Sequence, residues 1–291
     1  MKFGNAVLSG RVLRCLAAAG LVAGAAAAGT FGLPGKAMAA EHWASAGDAK
    51  IHPGVSLTSD AGQCTANFIY KNGDTYYIGA AAHCVGKGNA NETDGCKSAS
   101  YPLETSITID GASRPGKLAY SSWLTMQNGG DKSDDLCAYN DFALIEIDEA
   151  DIGKTNPSVP HFGGPTGLRT AGLNAGEKVY TFGNSELRSG ISLLSPKTGV
   201  NLGDAGGGRT HSVTTVSPGI PGDSGSGFLD TSGNAFGVLS TLSLTPIPGS
   251  NGVSDLNKAI EYAKDNGKGF KNLQLVNGTE PFKPGLGLGL L

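Results

Sequence analysis

The chain has 291 residues, a formal net charge of −3, 16% charged residues and 39% hydrophobic ones. That is enough apolar side chain for a sizeable core, in one large domain or two smaller ones. It lacks the basic excess that a nucleic-acid partner demands, so none is expected.

Residues 1–39 have the layout of a secretory signal peptide: Lys2, Arg11 and Arg14 lead, residues 16–28 are apolar, and Ala37-Met38-Ala39 supplies a small-residue cleavage site. The arginines are separated, which does not support a twin-arginine route. Pro34 and the many glycines and alanines disfavour an uncleaved anchor. The expected product is secreted and extracellular, without stable membrane association, and monomeric. Cys15 leaves with the leader, so Cys64, Cys84, Cys96 and Cys137 remain, an even number in an oxidising compartment. Two disulfides are expected, and the sequence permits three pairings. A zinc site at His83 beside these cysteines lacks paired short-spaced ligands, so no metal and no cofactor is expected.

Residues 40–50 read as an N-terminal arm or short propeptide, and Ile51 starts the folded part. Residues 64–70 and 75–80 are apolar runs joined by Lys71-Asn72-Gly73-Asp74, a β-hairpin signal. The second run leads through Ala80, Ala81 and Ala82 to His83 and Cys84. A polar loop over 86–100 follows, then short strands near 107–109 and 118–120 and another polar loop over 129–137. Asp141 stands at the mouth of the apolar run Phe142-Ala143-Leu144-Ile145. The Pro- and Gly-rich stretch 157–167 reads as the crossing between halves, with domains at 51–160 and 161–252. Residues 178–183, 191–194 and 211–216 read as strands and 203–209 as a loop. Two more strands flank Thr231-Ser232-Gly233-Asn234. Val253, Leu256, Ala259, Ile260 and Ala263 share one helical face, which predicts a helix over 253–267. The tail over 268–291 shows no pattern, and its Gly/Leu end suits disorder and a strap equally.

The segment with the most chemical content is Pro221-Gly222-Asp223-Ser224-Gly225-Ser226-Gly227. Its glycines permit a tight turn that presents Ser224, and the N–H groups of Gly222 and Ser224 suit stabilisation of an oxyanion. A serine hydroxyl is a poor nucleophile until a positioned base takes its proton, and that base needs a third group to orient it. Of the five histidines, His83 alone joins an apolar strand end to a cysteine. Asp141, at the start of a buried strand, is better placed for rigid orientation than Asp110, Asp134 or Asp135 in loops.

Taken in order, Ala81-Ala82-His83-Cys84, Asn140-Asp141-Phe142-Ala143-Leu144-Ile145 and Gly222-Asp223-Ser224-Gly225-Ser226-Gly227 resemble the chymotrypsin family of serine proteases. The resemblance spans residues 51–266. It implies an all-β fold of two six-stranded antiparallel β-barrels with a C-terminal helix. It also implies a secreted endopeptidase that cuts protein or peptide substrates with Ser224, His83 and Asp141. The alternative is a catalytically silent binding module on the same scaffold. A Cys64–Cys84 bridge is implied as well, leaving Cys96 to Cys137. Asp223 is structural in the resemblance; a new N-terminus freed at Lys50-Ile51 is one conceivable partner for it, although the usual glycine pair after the aliphatic residue is missing. Trypsin-like members carry an aspartate six residues before the nucleophile where this chain has Pro218, so cleavage after Lys or Arg is not expected. Ser240, Thr241 and Leu242 resemble the strand that pairs with substrate. With Leu242 partly filling the pocket and no accompanying histidine, a shallow apolar site is expected.

Overall fold

A computed structural model describes residues 42–88, 94–242 and 248–285. The expected signal peptide lies outside the described residues. Alternating apolar and polar residues with Gly and Asn turns produce strands throughout, and they close into two barrels.

The first barrel contains β1 (Ser56–Ser59), β2 (Gly62–Thr65), β3 (Ile69–Asn72), β4 (Thr75–Ala80), β5 (Ser106–Ile109), β6 (Gly116–Ser121) and β7 (Ala143–Glu146). β1 pairs with β2 and β5, and pairing continues through β6, β7 and β4 to β3. Closure comes from a bend at residues 66–68, which makes β2 and β3 two halves of one strand. Ala66 N donates to Val55 O on one side of the bend and Asn67 N to Gly79 O on the other. Gly73, with φ +65°, supplies the turn between Asn72 and Thr75, which pair across the hairpin. Ile78, Leu118 and Ile145, paired across β4, β6 and β7, share one face and are fully buried in the barrel.

Two short helices, α1 (Ser122–Gly129) and α2 (Asp134–Tyr139), stand between β6 and β7; α2 begins inside the loop expected over 129–137, and nothing was expected where α1 stands. Ser121 caps α1 by accepting from Leu124 N, and Gly130 ends it in the left-handed region. Trp123 and Met126 of α1 and Leu136 of α2 gather on Ala82. Neither helix alone shows enough apolar period to be read from sequence.

The second barrel follows β8 (Gly167–Leu168), which adds a short parallel edge to a later strand. Its strands are β9 (Lys178–Phe182), β10 (Pro196–Ala205), β11 (Thr210–Thr215), β12 (Gly227–Leu229), β13 (Asn234–Leu242) and β14 (Asn251–Asp255). They pair in the order β12-β9-β10-β11-β14-β13, and a β12–β13 ladder closes the ring. The fold is thus the expected all-β pair of six-stranded barrels. Residues 192–194, expected as strand, form a 3-10 turn that leaves Ile191 and Leu193 exposed, and residues 203–205 extend β10 instead of looping.

The C-terminal helix α3 (Leu256–Asn266) begins three residues later than expected. Val253 and Ser254 belong to β14, where Val253 pairs with Leu239 and His211. Asp255 is the true cap, its Oδ1 accepting from Lys258 N at 2.8 Å. After α3 the tail is a strap. β15 (Gln274–Leu275) pairs with β3 of the first barrel. Farther on, Phe282 packs on Tyr180 at 5.4 Å, and Thr198 Oγ1 donates to Gly285 O, both in the second barrel.

His211 sits fully buried in that second barrel. Its Nδ1 lies 2.7 Å from Asp204 Oδ1 and its Nε2 3.0 Å from Asp255 Oδ2. A protonated ring offers one N–H to each carboxylate, which a neutral ring cannot do. Burial pulls its pKa down, but the two carboxylates outweigh that and hold it above the usual 6.5. With the folded value raised, this clamp stabilises fully below the unfolded pKa and is lost as pH rises through the folded one. In a His83→Ala background, the urea midpoint is expected to fall as pH rises through the His211 titration seen by NMR; a midpoint flat across that titration refutes the clamp.

Candidate active site

Each candidate residue is placed by its own element, and the elements meet where the barrels touch. His83 lies in the 3-10 turn Ala82–Val85 that ends β4. Its neighbour Cys84 is bonded to Cys64 of β2, which pins this turn to the strand beside it. Cys96 is bonded to Cys137 and ties α2 to the preceding loop. The α1–α2 cluster packs on Ala82, so the His83 turn is held from both sides.

Asp141 lies two residues before β7 and is almost fully buried. The chain on either side of it is fixed by one hydroxyl: Ser122 Oγ donates to Asn140 O at 2.7 Å and accepts from Phe142 N at 3.0 Å. The Asp141 carboxylate accepts three hydrogen bonds, from His83 Nδ1 at 2.7 Å, His83 N at 2.9 Å and Ser240 Oγ at 2.5 Å. Burial alone would raise its pKa, but the His83 ring and these donors hold it below the ordinary carboxylate value. An ionised Asp141 requires a proton on Nδ1, which leaves the lone pair of neutral His83 on Nε2. The same pairing lifts the His83 pKa above 6.5 despite burial.

Ser224 sits opposite, partly exposed in a cleft that His83 also lines. Thr65 N donates to Ser224 O at 2.8 Å, and Asn67 Nδ2 donates to Gly225 O at 3.1 Å. A side chain at Gly225, φ +87°, would lie 2.6 Å from Thr65 O and 3.1 Å from Ala81 N, so only glycine lets the serine loop seat against the first barrel. Cys84 Sγ marks the meeting point, 3.9 Å from both His83 Nε2 and Ser224 O.

The loop before Ser224 is a type II turn over residues 220–223, with Asp223 N donating to Ile220 O, Pro221 second and Gly222 third at φ +94°. Neither Gly222 N nor Ser224 N donates to any described residue, which leaves both available to a ligand. Asp223 is buried at 1% exposure, paired with Arg188 Nη2 at 2.7 Å and Lys197 Nζ at 3.3 Å. In the uncleaved chain these two internal cations are the partners of Asp223. Ile51 is fully buried elsewhere, bridging Thr155.

A sequence pattern for the trypsin-like peptidase domain matches residues 64–238, more than half of the chain. The chain belongs to the trypsin-like peptidase family. No curated protein sequence matches it. Among solved structures, Thermobifida fusca Protease A is similar at 18% identity, covering 79% of this chain and 100% of that one with a TM-score of 0.49. Cellulomonas bogoriensis chymotrypsin is similar at 15% identity, covering 78% and 98% with a TM-score of 0.47. A glutamic acid-specific serine protease described as using a histidine triad in substrate binding reaches 16% identity, covering 78% and 100% with a TM-score of 0.47. At these identities and scores the likenesses say nothing of substrate, and family membership rests on the matched residues.

In this peptidase the predicted substrate residues divide. Ser240, Thr241 and Leu242 line the cleft, with a bulge between Leu239 and Thr241 that turns Ser240 toward Asp141. Pro218 does not line it; its carbonyl is drawn to Arg188 Nη2 at 2.9 Å, and Gly219 and Ile220 take the wall position. Sequence reasoning missed Asn251. Its Oδ1 accepts from Gly219 N at 2.9 Å while its Nδ2 donates to Gly219 O and Thr241 O, both at 3.2 Å. It thereby cross-ties the two walls and spends both amide protons on them. Also missed were Gln63 and Thr65, which hold Gly222 O from the first barrel at 3.3 and 2.7 Å. Their partners are more than 150 residues away, so no local signal marks them.

Proposed function

We propose that this peptidase is a secreted serine endopeptidase acting on protein or peptide substrates. The observation that carries the reading is His83, oriented by Asp141, sharing one cleft with Ser224. Ser224 Oγ attacks the substrate carbonyl carbon as His83 Nε2 takes the hydroxyl proton. The resulting oxyanion is held by the N–H groups of Gly222 and Ser224. Collapse breaks the C–N bond, and the amine leaves with the proton from His83. Water, deprotonated by the same ring, then releases the acyl group and restores the hydroxyl.

The leader-like stretch over 1–39 and the two disulfides support export. Among the described residues the cleft lining has no Asp, Glu, Lys or Arg. With the Asn251 cross-tie between its walls and Leu242 at its edge, it suits small or modest uncharged side chains before the cut. A fluorophosphonate is expected to label the purified protein at Ser224, located by peptide mass mapping. A peptide library is expected to show uncharged residues before the cut. Failure to label marks a silent binding module, and a preference for Arg, Lys or Glu refutes the specificity.

His83 acts as a base only when neutral, so its raised pKa predicts kcat/KM rising with pH around a midpoint above 6.5. A pH–rate profile with its lower midpoint below that value contradicts the pairing with Asp141.

A further inference from the structure

The reaction proposed above needs the Gly222 N–H aimed into the cleft, and Gly222 lies in a turn with a second accessible form. Rotating the central peptide of a type II turn gives a type I turn, and glycine at the third position tolerates either. In the rotated form the Pro221 carbonyl takes the place of the Gly222 N–H, and an oxyanion is met by oxygen instead of a donor. A planar trans peptide points its C=O and N–H in opposite directions, so whatever grips one aims the other.

Ser185 holds that carbonyl. Its Oγ donates to Pro221 O at 2.5 Å. The hydroxyl is oriented in turn, because Leu187 N donates to the same Oγ at 3.2 Å and leaves its one proton for Pro221. Ser185 N donates to Asp223 Oδ1 at 3.1 Å, which fixes the residue against the far side of the turn. The other supports act elsewhere: Thr65 and Gln63 hold Gly222 O, in the following peptide, and Arg188 and Lys197 hold the Asp223 carboxylate. Among the described residues Ser185 is the sole donor to Pro221 O.

We propose that Ser185 is a positioning residue for the oxyanion hole, its hydroxyl locking the Pro221–Gly222 peptide so that the Gly222 N–H faces substrate before substrate arrives. This rests on the serine endopeptidase reading. Ser185 touches neither substrate nor the reacting atoms, and its contribution is the fraction of molecules whose turn is correctly oriented.

The test is steady-state kinetics of Ser185→Ala and Ser185→Thr on a chromogenic peptide with an uncharged residue before the cut. Affinity for a peptide boronic acid, whose tetrahedral adduct puts an anionic oxygen in the hole, is measured alongside. Ser185→Ala is expected to lower kcat by about tenfold, less than the loss on deleting an oxyanion donor itself, with KM nearly unchanged. Boronate affinity falls in parallel, and Ser185→Thr, which keeps the donor, restores most of both. A kcat within twofold of wild type, or a loss without a matching fall in boronate affinity, overturns the proposal. Should Ser185→Ala not fold, Ser185→Cys against Ser185→Thr repeats the comparison with a weak donor against a strong one. A wild type that neither turns over substrate nor reacts with a fluorophosphonate refutes the endopeptidase reading and this one together. An active wild type with an unaffected alanine variant refutes this one alone.

Discussion

Ser224→Ala is expected to lower kcat by about 10⁶-fold and Asp141→Asn by about 10⁴-fold, neither change unfolding the protein. Alanine removes the nucleophile from a partly exposed loop position whose backbone contacts survive. The asparagine effect is subtler. Asp141 accepts from both His83 N and His83 Nδ1, so the carboxylate fixes the ring's position and its tautomer together. An amide has a single oxygen and cannot accept both bonds. If its NH₂ group faces Nδ1, the proton moves to Nε2 and the lone pair is lost from the side that serves Ser224. If it faces the backbone instead, the His83 N–H loses its acceptor. Stopped-flow or steady-state rates on a peptide ester measure the loss, and a kcat for Asp141→Asn within tenfold of wild type rules out an orienting role.

Asp223→Ala is expected to cost about 3–5 kcal/mol of stability, because it strands two buried cations. Arg188 and Lys197 reach the same carboxylate, with side chains 9% and 1% exposed. The two cations are not equivalent. Burial, with Arg188 adding repulsion and Asp223 resisting, brings the Lys197 pKa down to about 8. With its folded value depressed below the unfolded one, the charged lysine opposes folding, and that opposition fades as pH climbs from about 8 toward the unfolded value. Lys197→Met, which keeps the length and leaves Arg188 on Asp223, is therefore expected to shift stability by only about 1 kcal/mol at neutral pH. Urea unfolding of the two variants side by side decides it: equal losses contradict the assignment of Arg188 as the principal partner.

Legibility in the sequence followed the range of the interactions. The β3–β4 hairpin was readable because its signal, an apolar run on each side of Asn72-Gly73-Asp74, is local. Candidate side chains His83, Asp141 and Ser224 stood out because each is embedded in neighbours that shape its own turn. The start of α3 misled, since Val253 fits a helical period of the following residues while its actual partners, Leu239 and His211, lie across strands. Ile191 and Leu193 misled in the opposite sense, as apolar residues that the fold leaves in solvent. Asn251 and Ser185 were invisible because each is an ordinary polar residue until another segment brings a backbone carbonyl to it.

The strap over residues 274–285 has a consequence for biogenesis. It is translated after every residue of the cleft, yet it supplies the outermost partner of β3 and a tie to the other barrel. A growing polypeptide that has only reached Asn251 already holds His83, Asp141 and Ser224 while β3 still offers bare amides and carbonyls to any neighbouring strand. Removing residues 274–285 therefore invites aggregation rather than a change in bond-breaking chemistry.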